Sequence, residues 1–477
     1  MPESPVPISM NFMPPELETI LRETPELRQS FLVGGCVRDA LLDRPGKDFD
    51  VEVFGLNCET LARALARWGK TDLVGRSFGV VKLNTGGGFQ CDFSVPRRDS
   101  KIAPGHKGFQ IAFDSTLTPQ DAAARRDFTI NAMMFDPRAR ALLDYFGGQR
   151  DLEARVLRHT SPAFAEDPLR VLRGMQFAGR FALSPAPATL ALCHEIKGGF
   201  GELAIERVRE EWFKWADKSV LPSAGLKFLL ESEWIDHFPE IKTLIGTPQE
   251  PEWHPEGDVF VHTCHCCDAL VKLPEWQNAD AETRIVLMLA VLAHDFGKPA
   301  TTRRELRGDA WRIVSPGHEA AGEAPARSFL QRIGAPSGIV ARVLPLVLNH
   351  LIHFQSVTDR AVRRLAKRLE PESIEHLCVL MTADSLGRPP RPPSVPEGVA
   401  LIAQRARELE VRQRPPRLIL MGRHLLKLGM TPGPEVGALV NAAYEAQLEG
   451  EFSDLAGALR WLENEQTKKR AWSQGHR

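Results

Sequence analysis

The apolar residues of this chain change their spacing near Asp151. Before it, short runs alternate apolar and polar positions, the period-two pattern of a half-buried strand; after it, Leu, Ala and Arg dominate at helical spacing, as at 283–293. A chain that switches once and does not switch back segregates its strands from its helices. The expected class is therefore α+β, a small mixed α/β unit followed by a mostly helical remainder. Within the first part, residues 31–55 read as strand, Gly-Gly turn, short helix (36–42), polar loop and second strand, with further strand-like runs at 73–84 and 89–95. Prolines 389, 390, 392, 393 and 396 crowd a stretch that cannot be helical, which places a linker there. The expected division is a head at 25–150, a helical neck at 151–220, a helical body at 221–388 and a helical tail at 397–477.

Composition narrows the function classes. No run of about 18 apolar residues occurs and the N-terminus has no basic-then-apolar leader, so a membrane span and a secretory signal are not expected and the cytoplasm is. Eight cysteines in 477 residues are too few for a disulfide scaffold, so reduced thiols are expected. The cluster Cys264, Cys266 and Cys267 contains a single C-x-x-C with no second pair at zinc-finger spacing. A formal charge of −1 excludes bulk electrostatic coating of nucleic acid and leaves only local basic patches.

Asp48 and Asp50 flank Phe49 on an expected strand, whose period of two puts both carboxylates on one face. Oxygen donors so placed suit Mg²⁺, and a pair of such ions can stabilise the attacking and leaving oxygens of phosphoryl transfer. Asp92 is the candidate third carboxylate from a neighbouring strand. Upstream, Gly34 and Gly35 open a helix carrying Arg38, a geometry in which bare backbone N–H groups can hold phosphates. Either motif alone also fits a solvated strand end or a plain turn; their order within seventeen residues favours chemistry.

These residues carry a resemblance. GGCVRDALL (34–42), KDFD (47–50), RRDFTINAM (125–133), DYFGGQRDL (144–152) and EDPLRVLRGMQFAGRF (166–181) resemble, in order, the class II CCA-adding tRNA nucleotidyltransferases and bacterial poly(A) polymerases. The resemblance implies a nucleotidyltransferase palm and helical neck, metal-holding roles for Asp48 and Asp50, and addition of CMP and AMP from CTP and ATP to a tRNA 3′ end. It places Arg126, Asp127 and Asn131 near the incoming nucleotide; the plain alternative is a helix start capped by Asp127.

Glu166, Asp167 and Arg170 share one surface of a helix start. Cytosine and adenine both present an amino donor beside a ring-nitrogen acceptor, so a carboxylate with a guanidinium could read either, while guanine and uracil would meet Asp167 oxygen to oxygen. The family's template motif implies Asp167 and Arg170 as base readers and Glu166 as the group that orients Arg170; capping by Asp167 before Pro168 is the structural alternative. The segment 96–117, with Arg97, Arg98, Lys101 and Lys107, resembles the family's flexible loop, with Ala103 where a glycine often stands; this weighs against a CC-only enzyme. The neck arginines Arg170, Arg173 and Arg180 and the tail, 417–440, which resembles the family's tail domain, are the candidate tRNA patches.

In the body, His262, the adjacent His294 and Asp295, and Asp384 occur in the order H…HD…D. An ionised His-Asp pair in an apolar helix is costly without a ligand, and imidazole with carboxylate suits a transition metal: Ni, Mn, Fe, Co or Zn. The pattern resembles an HD phosphohydrolase domain, which further implies His318 and His350 as ligands of a dinuclear member and phosphoesters at damaged tRNA ends as substrates. His265 and His353 are read as core residues. Rival readings are a poly(A) polymerase, for which VGRSF at 74–78 speaks, an A-only tRNA enzyme, and an HD phosphohydrolase whose palm merely binds RNA. Oligomeric state is left open.

Overall fold

The computed structural model describes residues 6–7, 12–44, 46, 48–74, 79–101, 109–114 and 116–475, which form two compact units meeting in sequence between His237 and Phe238. The architecture is α+β, as the periodicity predicts. The first unit is built on a mixed sheet with strands β1 (Val6–Pro7), β2 (Ser30–Val33), β3 (Asp50–Val53), β4 (Gly69–Val74), β5 (Val80–Thr85), β6 (Gln90–Ser94), β9 (Met134–Asp136) and β10 (Ala141–Leu143), in the order β1-β10-β9-β2-β3-β6-β5-β4. Among the described residues of this sheet, only β3 and β6 pair in parallel, because the chain between them makes a helix, Cys58–Leu65, and a hairpin before returning. Val51, Val53, Val81, Leu83, Cys91 and Phe93 point into the core while their neighbours face out, the alternation that gave these strands away.

Three expectations need correction. The run 73–84 spans two antiparallel strands, β4 and β5, with residues 75–78 of the VGRSF segment outside the described residues. The segment expected as a flexible loop holds a two-stranded ribbon, β7 (Arg97–Lys101) with β8 (Phe109–Phe113), consistent with the alternation of FQIAF; residues 102–108, with Ala103 and Lys107, lie outside the description. The RRDFTINA segment is a turn followed by one helical turn, Thr129–Ala132.

After the sheet come helices Leu169–Phe181, Ile205–Lys218 and Pro222–Glu231, packed around Trp212, Trp215 and Phe228. Their approach is close: a Cβ at Gly225 would stand 2.7 Å from the Met175 carbonyl oxygen, so any side chain there would force the helices apart. The second unit is helical except for an antiparallel ribbon, Arg303–Arg307 with Ala310–Val314, that helical spacing did not foretell. Its centre is the buried helix Ala281–Ala293 among Val259–Leu270, Ser337–Asn349 and Ile374–Leu386. Residues Ser337–Phe354 are long and apolar enough by composition to cross a membrane, yet the helix ends at Asn349 and half the stretch is packed inside this unit. The tail helices Gly422–Lys427, Pro434–Glu449 and Leu455–Gly475 close on a small core of Leu420, Leu425, Phe452 and Leu462.

Candidate functional sites

In the first unit, β2 ends in Gly34, whose φ of 73° turns the chain into the helix Gly35–Leu41. A Cβ on Gly34 would lie 2.9 Å from an Arg126 guanidinium nitrogen, which that flexible side chain can give up, so it is the backbone conformation that calls for glycine here. Asp50 opens β3 and stands opposite Asp92 in the parallel register. Asp48 lies just before the strand, exposed, a correction to the expectation that both aspartates are strand residues. The strand period continues to Glu52, which the sequence reading passed over although it sits two residues beyond Asp50; it accepts from Arg126 at 3.2 Å. Burial pushes the Asp50 carboxyl up, and Asp92, Asp48 and Glu52 push the same way against Arg126. Lys82 lies 3.4 Å from Asp92. Carboxylates crowded at the open end of a strand are the donor set a hard divalent cation takes, so Asp48, Asp50 and Asp92 fit Mg²⁺.

Four of the predicted nucleotide-binding residues, Arg38, Asp127, Asn131 and Arg173, form one chain of contacts. Asp127, buried, accepts from the Phe128 backbone N–H at 2.8 Å, from Asn131 Nδ2 at 3.0 Å and from Arg173 Nε at 2.7 Å. Burial alone would raise its pKa, but Arg173 and these donors hold it below the usual carboxylate range. Asn131 in turn accepts from Arg38, whose guanidinium lies 4.3 Å from the Phe181 ring centre. Asp127 therefore does not cap the Thr129–Ala132 turn; its oxygens are committed to fixing Arg173 and Asn131.

The expected template is arranged differently from its implied form. Asp167 accepts from the Leu169 N–H at 3.1 Å and from Arg207 at 2.7 Å. Arg170 donates to the carbonyls of Ala163 (2.6 Å) and Arg125 (2.7 Å), and Glu166 pairs with Arg125 at 2.9 Å instead of bonding Arg170. Glu166 is thus tied to Arg170 through Arg125, whose side chain meets the one and whose carbonyl meets the other. Arg125 and Arg207 carried no separable signal, being two arginines among many.

In the second unit, all six metal-candidate residues converge. His294 and His350 are the C-cap residues of their helices, and each presents Nδ1 to the carbonyl three residues back, Val291 and Val347, at 2.7 Å; His318 does the same to Ser315. A carbonyl only accepts, so Nδ1 is protonated in each ring and all three Nε2 atoms point inward. They meet Asp295: His294 Nε2 is 3.2 Å from Oδ2, while His318 and His350 Nε2 are 3.2 and 4.0 Å from Oδ1. His318 and His350 present Nε2 to each other at 3.0 Å, an approach that takes a proton or a metal ion between the two nitrogens. Burial, with His294 and His318 nearby, pushes His350 down to about 3, so it stays neutral. On the other side His262 Nε2 is 3.1 Å from Asp384, and its Nδ1 is 2.7 Å from the buried Glu256. The Nε2 of His294, buried, has no aligned hydrogen-bond partner among the described residues. One orphaned imidazole nitrogen and three others converging on carboxylates, each ring anchored from behind, are a donor set that fits a transition metal.

Several contributors were missed. Lys298 and Arg388 hold Asp295 (2.6 Å) and Asp384 (2.7 Å), one helical turn on from each, a spacing that could have been read. Glu256 and His254 come from an irregular stretch with no pattern. Cys266 Sγ lies 3.3 Å from His262 Nε2, one turn along the same helix. His353 is buried, as expected, against Phe354 and the His350 carbonyl.

Known proteins bear on both units. Residues 30–158 match the family described as the poly(A) polymerase head domain. A multifunctional CCA protein of Xylella fastidiosa is 35% identical over 373 residues, 76% of this chain and 84% of the relative, and one of Stenotrophomonas maltophilia is 36% identical over 372 residues, 75% and 86%. In fold, the chain resembles the Bacillus stearothermophilus CCA-adding enzyme solved with CTP, at a TM-score of 0.61 and 18% identity over 96% of this chain and all of that one. With 35% of the aligned residues identical over 76% of this chain and 84% of the relative, the chain belongs to the family of the CCA-adding and poly(A)-polymerase nucleotidyltransferases.

Proposed function

We infer that this protein is a CCA-adding tRNA nucleotidyltransferase, adding CMP and AMP from CTP and ATP to tRNA 3′ ends without a nucleic-acid template. The observation that carries this is the register of Asp50 against Asp92 beside Asp48, in a chain whose relatives are named for CCA addition. Asp48, Asp50 and Asp92 would hold Mg²⁺, which when bound supplies charge stabilisation to the transferring phosphoryl group. The surrounding residues keep the nucleotide in place: the Gly34–Gly35 turn and Arg126 face phosphates, and the Arg38–Asn131–Asp127–Arg173 chain holds donors at fixed angles. Asp167 and Arg170 choose the base, with Glu166 acting through Arg125. Head (25–150), neck (151–220), body (221–388) and tail (397–477) are the working divisions, and tRNA in the cytoplasm is the partner. The test is incubation of pure protein with tRNA lacking 3′ CCA and each nucleotide singly and together. Full CCA supports the reading, A alone on a CC end points to the A-only enzyme, and long A tracts point to poly(A) polymerase.

A second activity has its own observation. The inward-facing Nε2 atoms of His294, His318 and His350 around Asp295, with His262 and Asp384 opposite, support an HD phosphohydrolase site holding a transition metal. Such an ion supplies Lewis acidity toward a phosphoester oxygen; Lys298 and Arg388 keep Asp295 and Asp384 ionised and in position. Elemental analysis of the purified protein tests it.

A further inference from the structure

The His-Asp cluster opens into a cavity of about 720 Å³, far more room than a phosphate group needs and within the range that encloses a nucleotide-sized ligand. Its depth is polar, with Asp295, His318, His350 and Asp384. Its wall also includes two aromatic residues that the fold leaves open: Trp253 is 52% exposed and Phe354 72%. Lys298 and Arg388 are tied to carboxylates in the cavity. Arg391 instead lies over the Trp253 ring, 5.3 Å from its centre, and donates to the Trp253 carbonyl. A large aromatic half out of solvent contact, backed by a guanidinium and lining the same cavity as phosphate-directed groups, has the layout that stacks a base on one side while its phosphate reaches the polar end.

We propose that Trp253, supported by Arg391, is the nucleobase platform of this cavity, so that the site selects nucleoside phosphates over phosphoesters lacking a base. The proposal rests on the phosphohydrolase reading for its catalytic consequence but not for its binding consequence. Trp253 is a specificity residue: it touches the base and leaves the phosphate chemistry to the buried groups. The shared chemistry, a nucleoside carrying a phosphate on its ribose, could come from a free nucleotide or from the 3′ end of an RNA.

The experiment compares the full-length wild type with Trp253→Ala and Trp253→Phe, using 2-aminopurine riboside 3′-phosphate, whose fluorescence falls on stacking, and an RNA trinucleotide ending in the same residue. Binding to the head is common to all variants, so the part of the quench that Trp253→Ala removes reports the platform. Expected is its loss in Trp253→Ala, its retention in Trp253→Phe, and a fall of about tenfold to a hundredfold in kcat/KM for nucleoside phosphates with glycerol 2-phosphate hydrolysis unchanged. Quenching by the trinucleotide alone assigns the source to RNA ends; quenching by both admits free nucleotides. An unchanged quench in Trp253→Ala, or an equal fall for glycerol 2-phosphate, overturns the platform. A Trp253-dependent quench in a protein that hydrolyses neither substrate keeps the platform and refutes the hydrolase instead.

Discussion

In the proposed reading the two candidate centres would each hold a cation against a phosphoryl group, by opposite means. In the first unit, carboxylates sit at an open strand end, aligned by the period of a β-strand, and the neighbouring cation Arg126 only partly offsets their charge. In the second, imidazoles and carboxylates are buried, and each ring is fixed by a carbonyl: His294 and His350 use the unpaired C=O groups that every helix leaves in its last turn. An exposed oxygen site leaves positions for water and substrate phosphates, which Mg²⁺ retains. A buried nitrogen-rich site is preorganised for a softer ion and tolerates little rearrangement.

That contrast can be broken most sharply at Asp50. Asp50→Ala should lower nucleotide addition by at least about a thousandfold, the loss of several kcal/mol of charge stabilisation, while bound transition metal in the second unit stays constant. Addition above a few per cent of wild type would remove Asp50 from the site. The mirror experiment replaces His294 with Ala and Asp295 with Asn together. Elemental analysis should find the transition metal gone and phosphohydrolase activity with it, yet CCA addition near wild type. A parallel collapse of addition would make the pair structural.

Smaller effects sharpen the comparison. Asp167→Asn keeps the Leu169 cap and weakens the Arg207 pair, so misincorporation of UTP or GTP should rise about tenfold to a hundredfold, each charged hydrogen bond being worth about 1.5–3 kcal/mol. Strict C and A choice in this variant would leave Asp167 with its capping role alone. Arg170→Ala is a poorer probe, since it strands the carbonyls of Ala163 and Arg125. The smallest effect is expected at Cys266, which stands outside the six expected ligands and touches His262 Nε2 at 3.3 Å: Cys266→Ala should leave metal content unchanged. Loss of metal there would add a sulfur ligand to the set.

Where one residue's neighbours on its own element decide the outcome, the amino-acid order was enough. Period two placed Asp50 on its strand, although it was carried back to Asp48, which lies off the strand, and not forward to Glu52; the switch to helical spacing separated strands from helices, and adjacency tied His294 to Asp295. Glycine at position 34 was legible for the same reason; Asp92 was an acidic residue on an expected strand, and the sheet pairing is what sets it opposite Asp50. The ribbon β7–β8 was hidden by its glycines, prolines and basic residues, which read as loop, and the Arg303–Val314 ribbon by the helices around it.

Tertiary structure alone decided the partners that come from far along the chain. Glu166 bonds Arg125 and Asp167 bonds Arg207, over separations of 41 and 40 residues, and no local pattern chooses among the arginines of the neck. His262 meets Asp384 across 122 residues, and Trp253 reaches the mouth of their cavity from an irregular turn. Sequence determines which chemistry a segment can offer, because spacing along one helix or strand is set by backbone geometry. Which offers meet is set by packing, since each carboxylate and guanidinium can pair with many others and only the close fit of the buried core selects one.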